Sequence, residues 1–221
     1  WSIADRNEKT RGQVIHTGKA LATQHNFALN DDFGRDAALS FTAPQLWTDP
    51  ATHRMAQMDT WLELYATKNG GDRPGTILMS DAAFAAFARG AQFRTVLVGG
   101  ATRMPMAGEV NSIIEAAGYP TIEKYNRSTK SGLVLPKEWV YFLPEPTDPF
   151  DEDGSALGAT FYGQTVTSES PEFELAPGEQ PGVVVGVYRE DRIPYTVEVM
   201  ADAVTLPVAR DANRAMAVKV L

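Results

Sequence analysis

Gly34-Arg35-Asp36-Ala37-Ala38-Leu39-Ser40-Phe41-Thr42-Ala43-Pro44-Gln45-Leu46-Trp47-Thr48-Asp49-Pro50 leads into an amphipathic helix. Met55, Met58, Leu62 and Tyr65 follow at i, i+3, i+7 and i+10, which is one face of a helix. Asp49 is a capping residue, and Pro50 suits the first helical position because its missing N–H would have no partner there. Asn69-Gly70-Gly71 supplies the stop. The pattern predicts a helix over 50–68, and a methionine-bearing stripe of this kind is core material.

Downstream, Thr76-Ile77-Leu78-Met79 reads as a short buried strand. Ser80 or Asp81 caps the next helix, with the stripe Phe84, Phe87, Ala88 and Ala91. A third helix is expected near 106–117, with Met106, Val110, Ile113, Ile114 and Ala117 on one face and Gly118 as its end. Strand and helix thus alternate as in an α+β domain. β-character then rises through Thr121–Tyr125, Leu133–Leu135, Trp139–Leu143 and, after an acidic, proline-rich loop between Pro144 and Gly154, Gly182–Tyr188. Tyr195, Val197, Val199, Ala201 and Ala203 alternate with Thr196, Glu198, Met200 and Asp202, the period of a half-buried strand. Residues 214–220 are its expected partner.

Upstream the signals weaken. Residues 1–18 are polar with scattered Trp1, Ile3, Val14 and Ile15, and suit at most the tail of a helix. Residues 19–38 space Leu21, Phe27 and Leu29 among Thr, Gln, Asn and Asp. Asn30-Asp31-Asp32 reads as a turn, so an extended, exposed hairpin is expected. Such a segment has too few apolar residues for its own core and is expected to order against a partner.

The 221 residues can bury a sizeable core. Hydrophobic residues make up 43% and charged residues 22%, an ordinary globular balance. No apolar run is long enough to span a bilayer, and no secretory signal opens the chain. The chain has no cysteine, which excludes disulfides, thiolate catalysis and cysteine-rich zinc sites, and fits folding in a reducing cytosol. Net charge is −8 and the isoelectric point is near 4.9, a poor overall balance for tight nucleic-acid binding. The first residue is Trp1 and not Met, so processing or an omitted upstream part is expected.

No catalytic, cofactor-binding or metal-ligating residue is assigned. The three histidines, His16, His25 and His53, share no metal-ligand spacing. His16 and His25 are expected on the surface of the hairpin, and His53 in the first turn of a helix. Val96-Leu97-Val98-Gly99-Gly100-Ala101 superficially suggests a phosphate-binding turn, but lacks Gly-x-Gly-x-x-Gly and any P-loop lysine, and reads as a flexible turn. Asp148, Asp151, Glu152 and Asp153 form the densest acidic cluster. Pro146 and Pro149 interrupt it, so a solvated loop is expected, with a calcium-stabilised contact between subunits as the alternative. No Gly-x-Ser-x-Gly nucleophile elbow is present.

The order of these segments resembles the major capsid proteins of tailed bacteriophages, in particular the major capsid protein E family. The resemblance runs from about Arg11 to Leu221. The polar hairpin closing on Asp32-Phe33-Gly34 is similar to that family's extended E-loop. Thr42-Ala43-Pro44-Gln45-Leu46-Trp47 before Asp49-Pro50 is similar to its entry into the spine helix. Arg73-Pro74-Gly75-Thr76-Ile77-Leu78-Met79-Ser80 resembles the start of its axial, or A, domain. Gly158-Ala159-Thr160-Phe161-Tyr162-Gly163 and the closing strands Leu206-Pro207-Val208 and Met216-Ala217-Val218-Lys219-Val220 resemble the return to its peripheral, or P, domain.

The resemblance implies the Johnson capsid fold, divided as the end of an N-terminal region (1–18), an E-loop hairpin (19–38), a P-domain strand and spine helix (39–72), an A-domain (73–190) and C-terminal P-domain strands (191–221). It implies a structural, non-enzymatic subunit that forms hexamers and pentamers of an icosahedral head around double-stranded DNA, without sequence-specific binding. The implied partners are further copies of the chain, a portal, a scaffold and a decoration protein. The implied location is the virion, assembled in the bacterial host cytoplasm, with no membrane and no cofactor. The family has more chain upstream. It sometimes crosslinks subunits through a Lys–Asn bond, and Lys19 is the only lysine of the hairpin, with no pattern that assigns it that role. The alternatives are an encapsulin-like compartment shell, or an unrecognised α+β enzyme using the acidic loop at 148–153 or the turn at 99–100.

Overall fold

The computed structural model describes residues 3–24, 27–93, 106–147, 155–165, 182–189 and 194–221. At its centre are five short strands: β3 (Ser40–Thr42), β4 (Thr76–Met79), β5 (Thr121–Lys124), β8 (Trp139–Leu143) and β13 (Met216–Lys219). They lie in the order β3-β13-β8-β4-β5. β13 runs parallel to β3 and antiparallel to β8, while β4 runs antiparallel to β8 and parallel to β5. Alternate side chains point to opposite faces, and both faces of the inner strands β4, β8 and β13 are covered, which is why these read as apolar runs, while the edge strands β3 and β5 are polar and mostly exposed.

One face carries Ile77, Met79, Val140, Phe142, Met216 and Val218. Onto it pack α2 (Arg54–Lys68), α3 (Asp81–Ala88) and α4 (Ala107–Ala116), through Met58, Trp61, Leu62, Tyr65, Phe84, Phe87, Val110 and Ile114. Trp47 stacks on Trp61 with ring centroids 5.9 Å apart, and lies 5.1 Å from Phe87. The opposite face carries Tyr141 and Ala217 with Val134 and Leu135, joined by Ile15 of α1 (Ile3–Thr17). Residues 39–72, 73–190 and 191–221 each contribute strands to this one sheet.

The predicted strand at 76–79, the Ser80 cap and the helix near 106–117 appear as read, except that Met106 is the exposed residue before its helix and not part of its buried face, and α3 ends at Ala88, leaving Ala91 exposed beyond it. Ser80 Oγ accepts from the Ala83 N–H at 3.0 Å and donates to the Lys137 carbonyl at 2.7 Å, tying the α3 cap to the approach to β8.

Helix α2 starts four residues later than the Asp49-Pro50 signal predicts, at Arg54. The reason is local. Asp49 Oδ1 accepts from the Ala51 N–H at 2.9 Å, and Thr52 Oγ1 donates to the Leu46 carbonyl at 2.9 Å, so 46–52 closes as turns. Buried Arg54 then spans the junction, donating to the carbonyls of Trp47 (2.7 Å), Asp49 (3.2 Å) and Phe87 (3.3 Å). His53 is therefore the residue before the helix, without a side-chain cap bond. The end of α2 is as read. Gly70 has φ +69°, and the Gly71 N–H reaches the Ala66 carbonyl at 2.8 Å.

The amino-terminal hairpin pairs β1 (Lys19–Gln24) with β2 (Phe27–Asp32). It is shorter than 19–38, and Asn30-Asp31-Asp32 is strand and not turn. The chain turns instead at Gly34, with φ +71° and its N–H on Asp32 Oδ1 at 3.0 Å. The base of the hairpin is also covered by its own chain. Ala20 is buried, and Leu29 and Phe33 pack with Val14, Leu206, Ala209 and Ala212. Lys19 is paired with Asp32 at 2.8 Å across the strands.

Three further strand expectations change. Val134 and Leu135 leave the small hairpin of β6 (Ser128–Thr129) and β7 (Gly132–Leu133) and enter the core. The strand near 195–203 is β11 (Val197–Asp202), but it is exposed on both faces and not half-buried. Its partner is β10 (Val184–Arg189), while 214–220 supplies β13 to the central sheet. Ala217 and Val218 are fully buried there, which no two-stranded ribbon provides.

Candidate assembly surfaces

Two antiparallel pairs extend from the base of the sheet domain. β9 (Gly158–Gly163) pairs with β12 (Val204–Ala209), and β10 pairs with β11. Val204 lies opposite Gly163 and Asp202 opposite Val184, so only Ala203 separates the two pairs on the returning strand. Residues 164–183 separate them on the outgoing one. The returning segment 197–209 therefore carries both pairs on one nearly continuous strand.

The base of this ribbon is packed. Leu206 and Ala209 meet Val14 of α1, and a Cβ added at Gly158 would lie 2.1 Å from the Val208 carbonyl oxygen. The β10–β11 end is different. Val185 opposes Ala201, Val187 opposes Val199, and Arg189 opposes Val197. Val183, Val185, Val187, Val197 and Val199 are each at least 58% exposed. Met200, on the reverse face, and Tyr195 are also about half exposed or more, at 49% and 59%. Valine favours strands because its branched side chain packs well on a pleated surface, yet no part of the described chain covers this one. A two-stranded ribbon with an open apolar face is marginal alone, and such patches mark contact surfaces.

A second feature ties α1 to the sheet. Arg35 donates to the carbonyls of Val14 (2.8 Å) and His16 (3.1 Å), which lie in the last turn of α1, and to that of Ala212 (3.1 Å). It thus reinforces the end of the helix, where the Val14 carbonyl also accepts from the Gly18 N–H at 2.9 Å. Burial lowers the Arg35 pKa to about 10, where the guanidinium remains charged at neutral pH. His16 Nδ1 and the Tyr141 hydroxyl share a hydrogen bond at 3.1 Å, and the imidazole meets Trp139 edge-on at 4.7 Å. His16 is accordingly a half-buried helix residue and not a hairpin surface residue. Burial, and next the Arg35 charge, hold its pKa below the ordinary histidine value.

That shift has a sign. The unfolded chain binds a proton at His16 more readily than the folded one, so stability falls as pH drops below the unfolded value near 6.5. Chemical denaturation of His16→Gln between pH 8 and 5 is expected to show a weaker loss of stability than the parent chain. Parallel pH profiles would contradict the burial of a neutral imidazole.

His25, the Val96–Ala101 turn and the acidic cluster at Asp148, Asp151, Glu152 and Asp153 lie outside the described residues. Met55 and Met58 pack in the α2 core as read. Among the described residues no group of three His, Asp or Glu side chains is placed to hold a metal ion, and no helix is long and apolar enough to cross a membrane. Both strands of the ribbon are legible in the sequence, at 182–188 and 195–203, but the second is expected there to mate with 214–220 instead of the first, although the valines that recur on both sides of residues 190–196 signal a hairpin.

No protein-family model matches the chain, and no curated protein sequence matches it. Solved structures do. An inferred capsid protein of a prophage of Escherichia coli CFT073 superposes with a TM-score of 0.66 at 13% identity, over 98% of this chain and 62% of that one. A phage-related protein of Bordetella bronchiseptica RB50 gives 0.51 at 14% identity, over 83% of this chain and 57% of that one. The chain has a phage-capsid-like fold of mixed helix and sheet. It spans about three fifths of the length of these two relatives.

Proposed function

We propose that the chain is a structural subunit of an icosahedral phage-type shell, assembling with copies of itself into hexamers and pentamers around double-stranded DNA. The observation that carries this reading is the capsid-protein likeness along 98% of the chain. The exposed valine face of the ribbon supports it, because a shell subunit must leave apolar surface for its neighbours.

The finer reading follows the Johnson fold of the major capsid protein E family. The 19–38 segment acts as the E-loop lying across a neighbour, 39–72 as the P-domain strand and spine helix, 73–190 as the A-domain, and 191–221 as the C-terminal P-domain strands. The role is non-enzymatic. The subunit belongs to the virion, is assembled in the host cytoplasm, and works with a portal, a scaffold and a decoration protein. Many weak contacts repeated by symmetry hold such a shell without any single strong one.

Light scattering of the purified full-length protein, with its scaffold if one is required, tests the reading. Species at five and six times the subunit mass, or far larger, are expected. A mass fixed at one or two subunits at every concentration would remove the proposal.

A further inference from the structure

The charge of this acidic chain is unevenly placed. Residues 6–11 and 124–137 hold seven Lys or Arg and a single carboxylate, Glu8, a net +6 in a chain of −8, so the remainder carries −14. Residues 124–137 contain Lys124, Arg127, Lys130 and Lys137 and no acid. Asp5, Glu123 and Glu138 flank the two segments.

The fold joins these segments into one face. Lys9 Nζ donates to the Leu133 carbonyl, and the Tyr125 hydroxyl donates to Glu8, so α1 lies along the β6–β7 hairpin. Lys124 pairs with Asp81 at 3.5 Å, and Asn126 donates to Asp81 at 2.7 Å, which ties the same strip to the start of α3. Arg6, Arg11, Lys124, Arg127, Lys130 and Lys137 are all exposed.

The residues between the cations narrow the partner. Asn126-Arg127-Ser128-Thr129-Lys130-Ser131 interleaves positive charge with small amide and hydroxyl donors, the groups that contact phosphate oxygens. The strip lacks the exposed apolar anchor of a protein-binding hot spot, since Val134 and Leu135 are buried. It also lacks an exposed aromatic platform for unpaired bases, because Tyr125 is half-buried and packs on the cluster of Val134, Leu135 and Tyr141. We propose that the face formed by α1 and the β6–β7 hairpin binds the phosphate backbone of duplex DNA without reading its bases. It rests on the shell reading only for where that DNA is met, and marks the subunit's inward side.

The test is fluorescence anisotropy of a labelled mixed-sequence duplex against the full chain as salt is raised. About four phosphate contacts give a log–log salt slope of about −3.6, a roughly 100-fold loss of affinity from about 50 to 200 mM salt. Arg127→Gln with Lys130→Gln should leave thermal unfolding unchanged and flatten the slope by about 2. No binding at the lowest salt, or an unchanged slope in the variant, would overturn the proposal. So would a variant that alters self-association but not DNA binding, which would assign the face to a second copy. A chain that binds DNA in this way yet never assembles would leave this inference standing and remove the shell reading.

Discussion

Val199→Asp is expected to leave the subunit folded and to abolish particle formation. Val199 lies opposite Val187 on the β10–β11 ribbon and is 67% exposed, so a carboxylate there is fully hydrated in the isolated subunit. Surface changes of this kind shift stability by about 0.5 kcal/mol or less. Against a neighbour the same carboxylate loses its water without gaining a partner. Desolvation of an unpaired charge costs several kcal/mol, and the loss repeats in every copy of a symmetric assembly. Val199→Thr keeps the β-branched shape and should assemble at reduced yield. Sedimentation of particles beside a thermal melt of the subunit separates the outcomes. Normal particles from Val199→Asp would show that the valine face is not an interface.

The second large effect is expected at Gly12, where α1 crosses the β7 end. A Cβ there would lie 2.4 Å from Val134 Cγ1 and 2.8 Å from its carbonyl oxygen, distances that real Cβ atoms do not adopt. Gly12→Val must therefore lift α1 away from Val134. The bonds of Lys9 to Leu133 and of Tyr125 to Glu8 would loosen with it. Overpacking of this kind destabilises by about 3 kcal/mol, read as a lower denaturation midpoint. Gly108→Ala on α4 is the control, with open space around its added Cβ, and should stabilise by up to about 1 kcal/mol. Equal effects at the two glycines would contradict the close approach.

Much of the central domain was legible because its signals are local. The α2 stripe of Met55, Met58, Leu62 and Tyr65 is set by helical period, and Gly70 ends it because its backbone needs positive φ. The Ser80 cap is equally local. What resisted reading depends on distant partners. β13 looked like a mate for β11, but its Met216, Ala217 and Val218 are claimed by β8 and β3, far away in sequence. Periodicity carries no information on which strand pairs with which. Helix α1 reads as weakly amphipathic because part of its buried face is Gly12, which carries no hydrophobic side chain. His16 looked like a solvent residue because Arg35, Trp139 and Tyr141, which surround it, lie 19 to 125 residues away. The valine face was visible as composition, and its exposure only as structure.

Electron microscopy of the full-length protein after sedimentation tests the shell assignment most directly. Closed particles of uniform diameter, built from six-fold and five-fold clusters with β10–β11 against a neighbouring subunit, are the expected result. A field of monomers or dimers, with the scaffold present and the subunit folded, would contradict it.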